Sequence, residues 1–245
     1  MKKLLAIMLA LLLALPLFAN GAEAEDDEEL AIVGTVLTGI FAPYMIEGGR
    51  PSGELFFTER DFAGSSVTLV NYWDSGCMNC RIEMPYFEEL YERFTGEGIS
   101  VLGVATRRIG GTYEYGWQLL QEMGITYPNV IVDSGFENAV AGFYGVPLTL
   151  WVLEDGTVAD VRRGRMEYEE IELRTFRLFA EPGDCDGNGA VDSADFSALA
   201  AYLINAGSLS PAGRAAADID RDLEIGAADI NALVSLLSSF EIDVH

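Results

Sequence analysis

The sequence predicts an α/β sandwich followed by a small all-α module, and three observations predict it. Strand-like runs alternate with helical patterns over the first two thirds of the chain and then close in a hairpin. Composition changes at Glu181-Pro182-Gly183. Beyond that point an acid-rich segment occurs twice, and the step from Asp184 to Asp218 equals that from Asp195 to Asp229, 34 residues.

A chain of 245 residues suits one domain of ordinary size plus a small one, and with half its residues hydrophobic it can bury a core. The net charge of −24 argues against nucleic acid or an anionic lipid surface as a partner. Met1-Lys2-Lys3 followed by the apolar run 4–18 reads as a secretory signal peptide, with a small-residue cleavage site at Ala22-Glu23-Ala24. That run is short for a transmembrane helix, so an uncleaved anchor is the lesser alternative, and no cysteine near the cleavage region points to a lipoprotein. The expected partition is a leader at 1–24, an α/β domain at 25–180 and a C-terminal module at 181–245. After leader removal no stable membrane insertion is expected, and the mature chain should work outside the cytoplasm, where disulfides persist.

The acidic run 25–29 reads as a solvated terminus. Residues 30–46 are apolar and glycine-punctuated, consistent with a lead-in strand pair, and 48–53 read as a turn or loop. A β-branched and aromatic run at 67–73 predicts a buried strand. Met84, Phe87, Leu90, Tyr91 and Phe94 recur at helical spacing after it, and Pro85 is expected to kink that helix. A strand is predicted at 99–105, a helix at 113–123, a short strand at 130–132 and a helix at 136–143 closed by Gly145. Residues 149–153 and 158–162 make a hairpin around Glu154-Asp155-Gly156-Thr157, and 168–179 reads as a closing helix. Past residue 181, helices are expected at 196–204 and 230–237.

Cys77-Met78-Asn79-Cys80 falls where the buried strand hands over to the helix. A helix N-terminus offers free N–H groups and the positive end of the dipole, so a thiol there ionises more readily. Cys77 is the candidate nucleophile and Cys80 the candidate resolving thiol. A structural zinc site fits poorly, because only Cys185 and His245 remain as further ligands. A static disulfide stays open as an alternative. With His245 the only histidine, Ser-His chemistry is excluded, and no peroxidase-type pattern of Pro and Thr precedes Cys77.

The order of strand, Cys77-x-x-Cys80 and Arg81-x-Glu83-Met84-Pro85, with Tyr144-Gly145-Val146-Pro147 downstream, resembles the TlpA/ResA branch of thioredoxin-like disulfide oxidoreductases over about 55–165. The resemblance implies a thioredoxin-like sandwich, a cis Val146–Pro147 bond with Pro147 beside the disulfide, and a buried polar position at Asn71. It also raises Glu83 as a tuning group, although charged helix residues usually form a solvated face, and Glu83 is left off the catalytic set. One departure is Gly76, where the family usually has Trp.

The repeated segments supply acids at alternate positions, as a loop must to wrap six to eight oxygens around calcium. The expected ligands are Asp184, Asp186, Asn188, the Ala190 carbonyl, Asp192 and Asp195 in the first loop. In the second they are Asp218, Asp220, Asp222, the Glu224 carbonyl and Asp229. The doubled unit over about 183–239 resembles a type I dockerin, which implies two Ca2+ ions and a cohesin partner on a cellulosome scaffold. It also implies cohesin contacts at Ser193-Ala194 and Ala227-Ala228. The second loop has Leu223 where the first has Gly189 at the sharp turn, so a left-handed backbone is expected to strain it. Cys185 is either a free thiol or half of an intermolecular disulfide. No organic cofactor is expected.

Together these readings describe a secreted, extracellular thiol–disulfide oxidoreductase acting on a protein disulfide or redox partner and held at the cell surface by its docking module. The rival class is a thioredoxin-fold binding module displayed without turnover.

Overall fold

The computed structural model describes residues 31–242, with side chains through Ser239. The expected leader and the acidic run after it lie outside the described residues, as does His245. Among the described residues no helix is long and apolar enough to cross a membrane.

Seven strands form one sheet in the order β2-β1-β5-β4-β3-β6-β7. They are β1 (Phe41–Ile46), β2 (Arg50–Thr58), β3 (Val67–Trp73), β4 (Ile99–Ala105), β5 (Asn129–Ile131), β6 (Leu148–Leu153) and β7 (Val158–Arg163). β3, β4 and β5 run parallel, whereas β6 lies antiparallel to β3 and forms the expected hairpin with β7. Every residue of β3 is buried, because helices cover both faces of the sheet. Its alternation sorts side chains accordingly: Val67, Leu69 and Trp73 enter one core, and Val70 and Tyr72 the other.

The first core is closed by α1 (Met78–Phe94), through Met84, Phe87 and Leu90, and by α4 (Tyr168–Phe176), through Ile171. Phe94 and Phe176 meet edge to face at 5.0 Å. α2 (Tyr113–Glu122) adds Leu120 to the same side, while α3 (Ser134–Ala139) sends Phe136 into the opposite core. This is the α/β sandwich that the alternation predicts, of the thioredoxin-like kind that the resemblance implies.

Several boundaries differ from expectation. Only Glu47–Gly49 turns, and β2 begins at Arg50, taking in Pro51 and Gly53. β2 is an edge strand, where a proline without an N–H is tolerated. α3 starts early because Asp133 caps it, its Oδ1 accepting from Phe136 N at 2.9 Å, and it ends at Ala139. α1 runs on through Pro85 as a single helix, and α4 ends at Phe176.

Beyond residue 181 the chain is helical, with α5 (Ser193–Leu203), α6 (Pro211–Ala217) and α7 (Ala227–Ile242). α6 was not expected: its buried residues are Ala and Gly, so it carries no stripe of large apolar side chains. Cys185, Leu199, Leu209, Ala217 and Leu233 make a small separate core. Cys185 is therefore a buried free thiol, pushed up to about 12 by burial and then by the surrounding carboxylates. An intermolecular disulfide would require that core to open. α6 lies against α4, where the buried Glu172 carboxylate pairs with Arg214 and lies 3.6 Å from Arg93 Nη1.

Candidate functional site

β3 ends at Trp73 and four residues later Cys77 caps α1, with backbone dihedrals of −89° and 109°. Cys77 and Cys80 form a disulfide, and Cys77 Sγ accepts from Cys80 N at 3.1 Å. That sulfur also lies 3.6 Å from the Val146 carbonyl oxygen. The Val146–Pro147 bond is cis, and Pro147 O accepts from Gly164 N at 2.9 Å. Cys77 retains 5% exposure and Cys80 none, so only the first sulfur of the pair offers access from outside. Cys77, Cys80 and Pro147 thus converge at one end of the sheet.

Glu83 belongs to this assembly. It stands three residues after Cys80 and four before Phe87, on the apolar face of α1, and is fully buried. Asn71 lies on the same side of β3 as Leu69 and Trp73 and donates from Nδ2 to Glu83 Oε1 at 2.9 Å. Met166 N donates to Oε2 at 3.2 Å. Burial pushes the Glu83 carboxyl up to about 7, and the bonds from Asn71 and Met166 pull it back only in part. Asn71 also reaches Thr149 Oγ1 at 3.1 Å, while its own Oδ1 has no hydrogen-bond partner among the described residues. Burial thus gives a carboxyl group one turn from Cys80 a proton affinity near neutrality, the range in which general acids and bases work. The available signal was helical spacing, since Cys80, Glu83, Met84 and Phe87 share one stripe.

In the first acidic loop Asp184, Asp186 and Asp195 bring carboxylate oxygens within 4.8 Å of one another; in the second, Asp218, Asp220 and Asp222 do so. Asp195 reaches back to Asp186 N at 3.0 Å and Asp192 N at 2.8 Å, and Asp229 similarly bonds Ile219 N at 2.8 Å and Gly226 N at 2.8 Å. Asn188 is held by its neighbours, its N–H 3.0 Å from oxygens of both Asp184 and Asp186. Two expected ligands are placed differently. Asp192 turns to cap α5, accepting from Ala194 N at 2.6 Å, and Asp229 stands outside the cluster of three in its loop. Ala190 and Glu224, expected to offer carbonyls, are exposed at the equivalent place in each loop. Asp218 Oδ2 is buried without a hydrogen-bond partner. A set of carboxylates converging around such an orphaned oxygen fits a hard divalent cation.

The loops differ in their backbone. Gly187 and Gly189 have φ of 74° and 87°, and the equivalent Arg221 and Leu223 have φ of 64° and 71°. The strain expected at Leu223 is therefore doubled by Arg221. Ser193, Ala194, Ala227 and Ala228 are all exposed at the first turns of α5 and α7.

A family model described as "AhpC/TSA family" matches residues 53–158, and one described as "Dockerin type I domain" matches 182–238. The chain joins a thioredoxin-fold segment to a dockerin segment. Among curated relatives, the thiol-disulfide oxidoreductase ResA of Geobacillus thermodenitrificans is 30% identical over 115 residues, 46% of this chain and 62% of that protein. The ResA of Oceanobacillus iheyensis is 24% identical over 165 residues, 67% of this chain and 82% of its own length. The chain spans about three fifths of the first of these relatives. The solution structure of a thiol:disulfide interchange protein from Bacteroides sp. is 24% identical with a TM-score of 0.46, covering 57% of this chain and 88% of that one. Dockerin segments are in general calcium-binding and pair with cohesins.

Proposed function

We propose that the protein is a secreted thiol–disulfide oxidoreductase, with a leader at 1–24, a redox domain at 25–180 and a dockerin at 181–245 that attaches it to a cohesin-bearing scaffold outside the cell. The observation that carries the reading is Cys77 at the cap of α1, with the Cys80 N–H on its sulfur and the Val146 carbonyl at 3.6 Å. In the reduced protein the Cys77 thiolate attacks one sulfur of a protein disulfide, forming a mixed disulfide and expelling the other sulfur as a thiolate. Glu83 takes the proton of Cys80, and the Cys80 thiolate attacks Cys77 Sγ. The Cys77–Cys80 disulfide forms and the second substrate thiol leaves, so two electrons have passed to the substrate. A dithiol reductant restores the resting thiols. Pro147 lines the place where the substrate backbone passes.

The docking half of the proposal rests on the paired loops. Asp184, Asp186, Asn188, Asp192 and Asp195, with the Ala190 carbonyl, would hold one Ca2+. Asp218, Asp220, Asp222 and Asp229, with the Glu224 carbonyl, would hold a second. When bound, calcium would neutralise the clustered carboxylates and fix α5 and α7 for a cohesin.

Insulin reduction with dithiothreitol as electron source tests the enzymatic half. Wild type should accelerate it, and Cys77→Ser should fall to background. Equal rates for both proteins would favour the rival, display without turnover, for which Gly76 in place of an aromatic cover speaks.

A further inference from the structure

Two residues before the redox turn carry a feature that the exchange chemistry above does not use. Asp74 is fully buried, and no arginine or lysine among the described residues forms an ion pair with it. Its carboxylate instead accepts three backbone N–H groups: Gly76 at 2.8 Å, Gly111 at 3.0 Å and Ile109 at 3.1 Å. Ser75 continues the contact, its Oγ donating to Thr112 O and accepting from Thr112 N, both at 2.9 Å. The Asp74 carbonyl meanwhile accepts from Cys77 N at 2.9 Å. One residue thus holds the turn that aims Cys77 and the loop 107–112 beside it. The approach is tight: a Cβ on Gly111 would overlap Asp74 Oδ1 and Ser75 Oγ.

We propose that Asp74 is a positioning residue for disulfide exchange, latching residues 107–112 against the redox turn so that this loop forms one wall of the surface that receives a protein disulfide. The proposal rests on the exchange activity proposed above. The loop presents Ile109, 49% exposed, and its carbonyl comes within 3.6 Å of where a side chain on Gly76 would begin. From the same loop Arg108 Nη1 donates to Phe143 O at 2.9 Å, tying the wall to the segment that leads into Val146 and Pro147. Met78 and Tyr144, 63% and 82% exposed, flank Cys77 in sequence and across that segment. Large exposed apolar groups around a recessed sulfur suit a polypeptide, which can cover them, better than a small disulfide, which cannot. The wall stands where Gly76 leaves the turn without a side chain of its own.

The carboxylate is the group this latch needs. It offers only acceptors, so Gly76 and Gly111 can share Oδ1 while Ile109 takes Oδ2; an asparagine would turn an NH2 donor toward at least one of these N–H groups and an alanine would offer nothing. The test compares wild type, Asp74→Asn and the milder Ser75→Ala as full-length chains, with far-UV dichroism to show that the fold is kept. Amide hydrogen exchange is read at Ile109 and Gly111, and exchange rates are measured with insulin and with hydroxyethyl disulfide.

In Asp74→Asn at least one of the two amides should lose protection by about tenfold or more, and the insulin rate should drop by about tenfold, the scale of one lost charge-assisted hydrogen bond. The small-disulfide rate should stay within about twofold of wild type, the loss falling on protein substrate alone. Ser75→Ala should show the same pattern to a lesser degree. The latch is wrong if both amides remain protected, or if the two rates fall by the same factor or neither falls. A wild type inert toward both disulfides would sink the exchange reading on its own, whereas protected amides in Asp74→Asn would sink the latch on its own.

Discussion

Around Cys77 the contacting groups come from distant parts of the chain. Val146 and Pro147 precede β6, Asn71 sits on β3, Met166 follows β7, and Glu83 is brought under the cysteines by the packing of α1 on the sheet. In the acidic loops every carboxylate comes from within twelve consecutive positions, and each loop bonds largely to itself. The first site exists only if the whole sandwich folds. The second is a local fold that lacks a large core, having few buried apolar residues of its own. The two should therefore respond to perturbation independently and by different physics.

The largest expected effect separates them outright. Chelating divalent cations should melt α5, α6 and α7, since clustered carboxylates repel and a small core cannot offset that repulsion. The sandwich should keep its melting transition, losing little beyond the Glu172 contact to Arg214. Calorimetry with and without chelator reads both transitions. A chelator that unfolds the sandwich too, or leaves the C-terminal helices intact, breaks the comparison.

The next effect belongs to the sandwich alone. Glu83 has a folded-state pKa of about 7 against a usual 4.5, so the folded chain holds that proton more tightly than the unfolded one. Stability from this source is complete below 4.5 and declines as pH rises through about 7, by up to about 3 kcal/mol. Glu83→Gln should flatten that decline in urea titrations run across the same pH range. An unchanged slope would mean that Glu83 ionises without penalty and that its burial does not govern it.

Legibility followed the same division. The acidic ligands were readable because their spacing lies in the local sequence and repeats, and the strand-to-helix setting of Cys77 was readable because β3 and α1 adjoin it. Glu83 was harder: its charge argued for a solvated face, while its place on the Cys80–Phe87 stripe argued for burial, and only the partner Asn71 decides between them. Asp74 gave no signal at all, because its three N–H donors come partly from residues 35 and 37 positions away. Pro51 and Gly53 mimic a turn although they lie on the edge strand β2. Arg221 carries a positive φ that nothing in an arginine announces.

The smallest effect sharpens the comparison within the loops themselves. Arg221 and Leu223 hold the left-handed conformation that glycine holds in the first loop, at roughly 1–2 kcal/mol each. Arg221 is exposed, so Arg221→Gly relieves strain with little loss of packing, and it also removes a positive charge from a cation site. Calorimetric calcium titration should show the second site weaker than the first and strengthened about tenfold by this change. Leu223→Gly should gain less, because Leu223 lines the cleft shared with Tyr168, Leu173 and Tyr202. Two equal sites, or no gain from Arg221→Gly, would remove backbone strain as the cause.

The central claim concerns the order in which the two cysteines act, and trapping tests it most directly. Reduced Cys80→Ser protein, mixed with an oxidised protein substrate, lacks the thiol that would resolve the complex. It should accumulate a mixed disulfide, and peptide mass spectrometry should place the crosslink on Cys77. Cys77→Ser should trap little, because Cys80 is fully buried. Trapping through Cys80 in preference to Cys77, or no trapped species from either variant, would contradict the account.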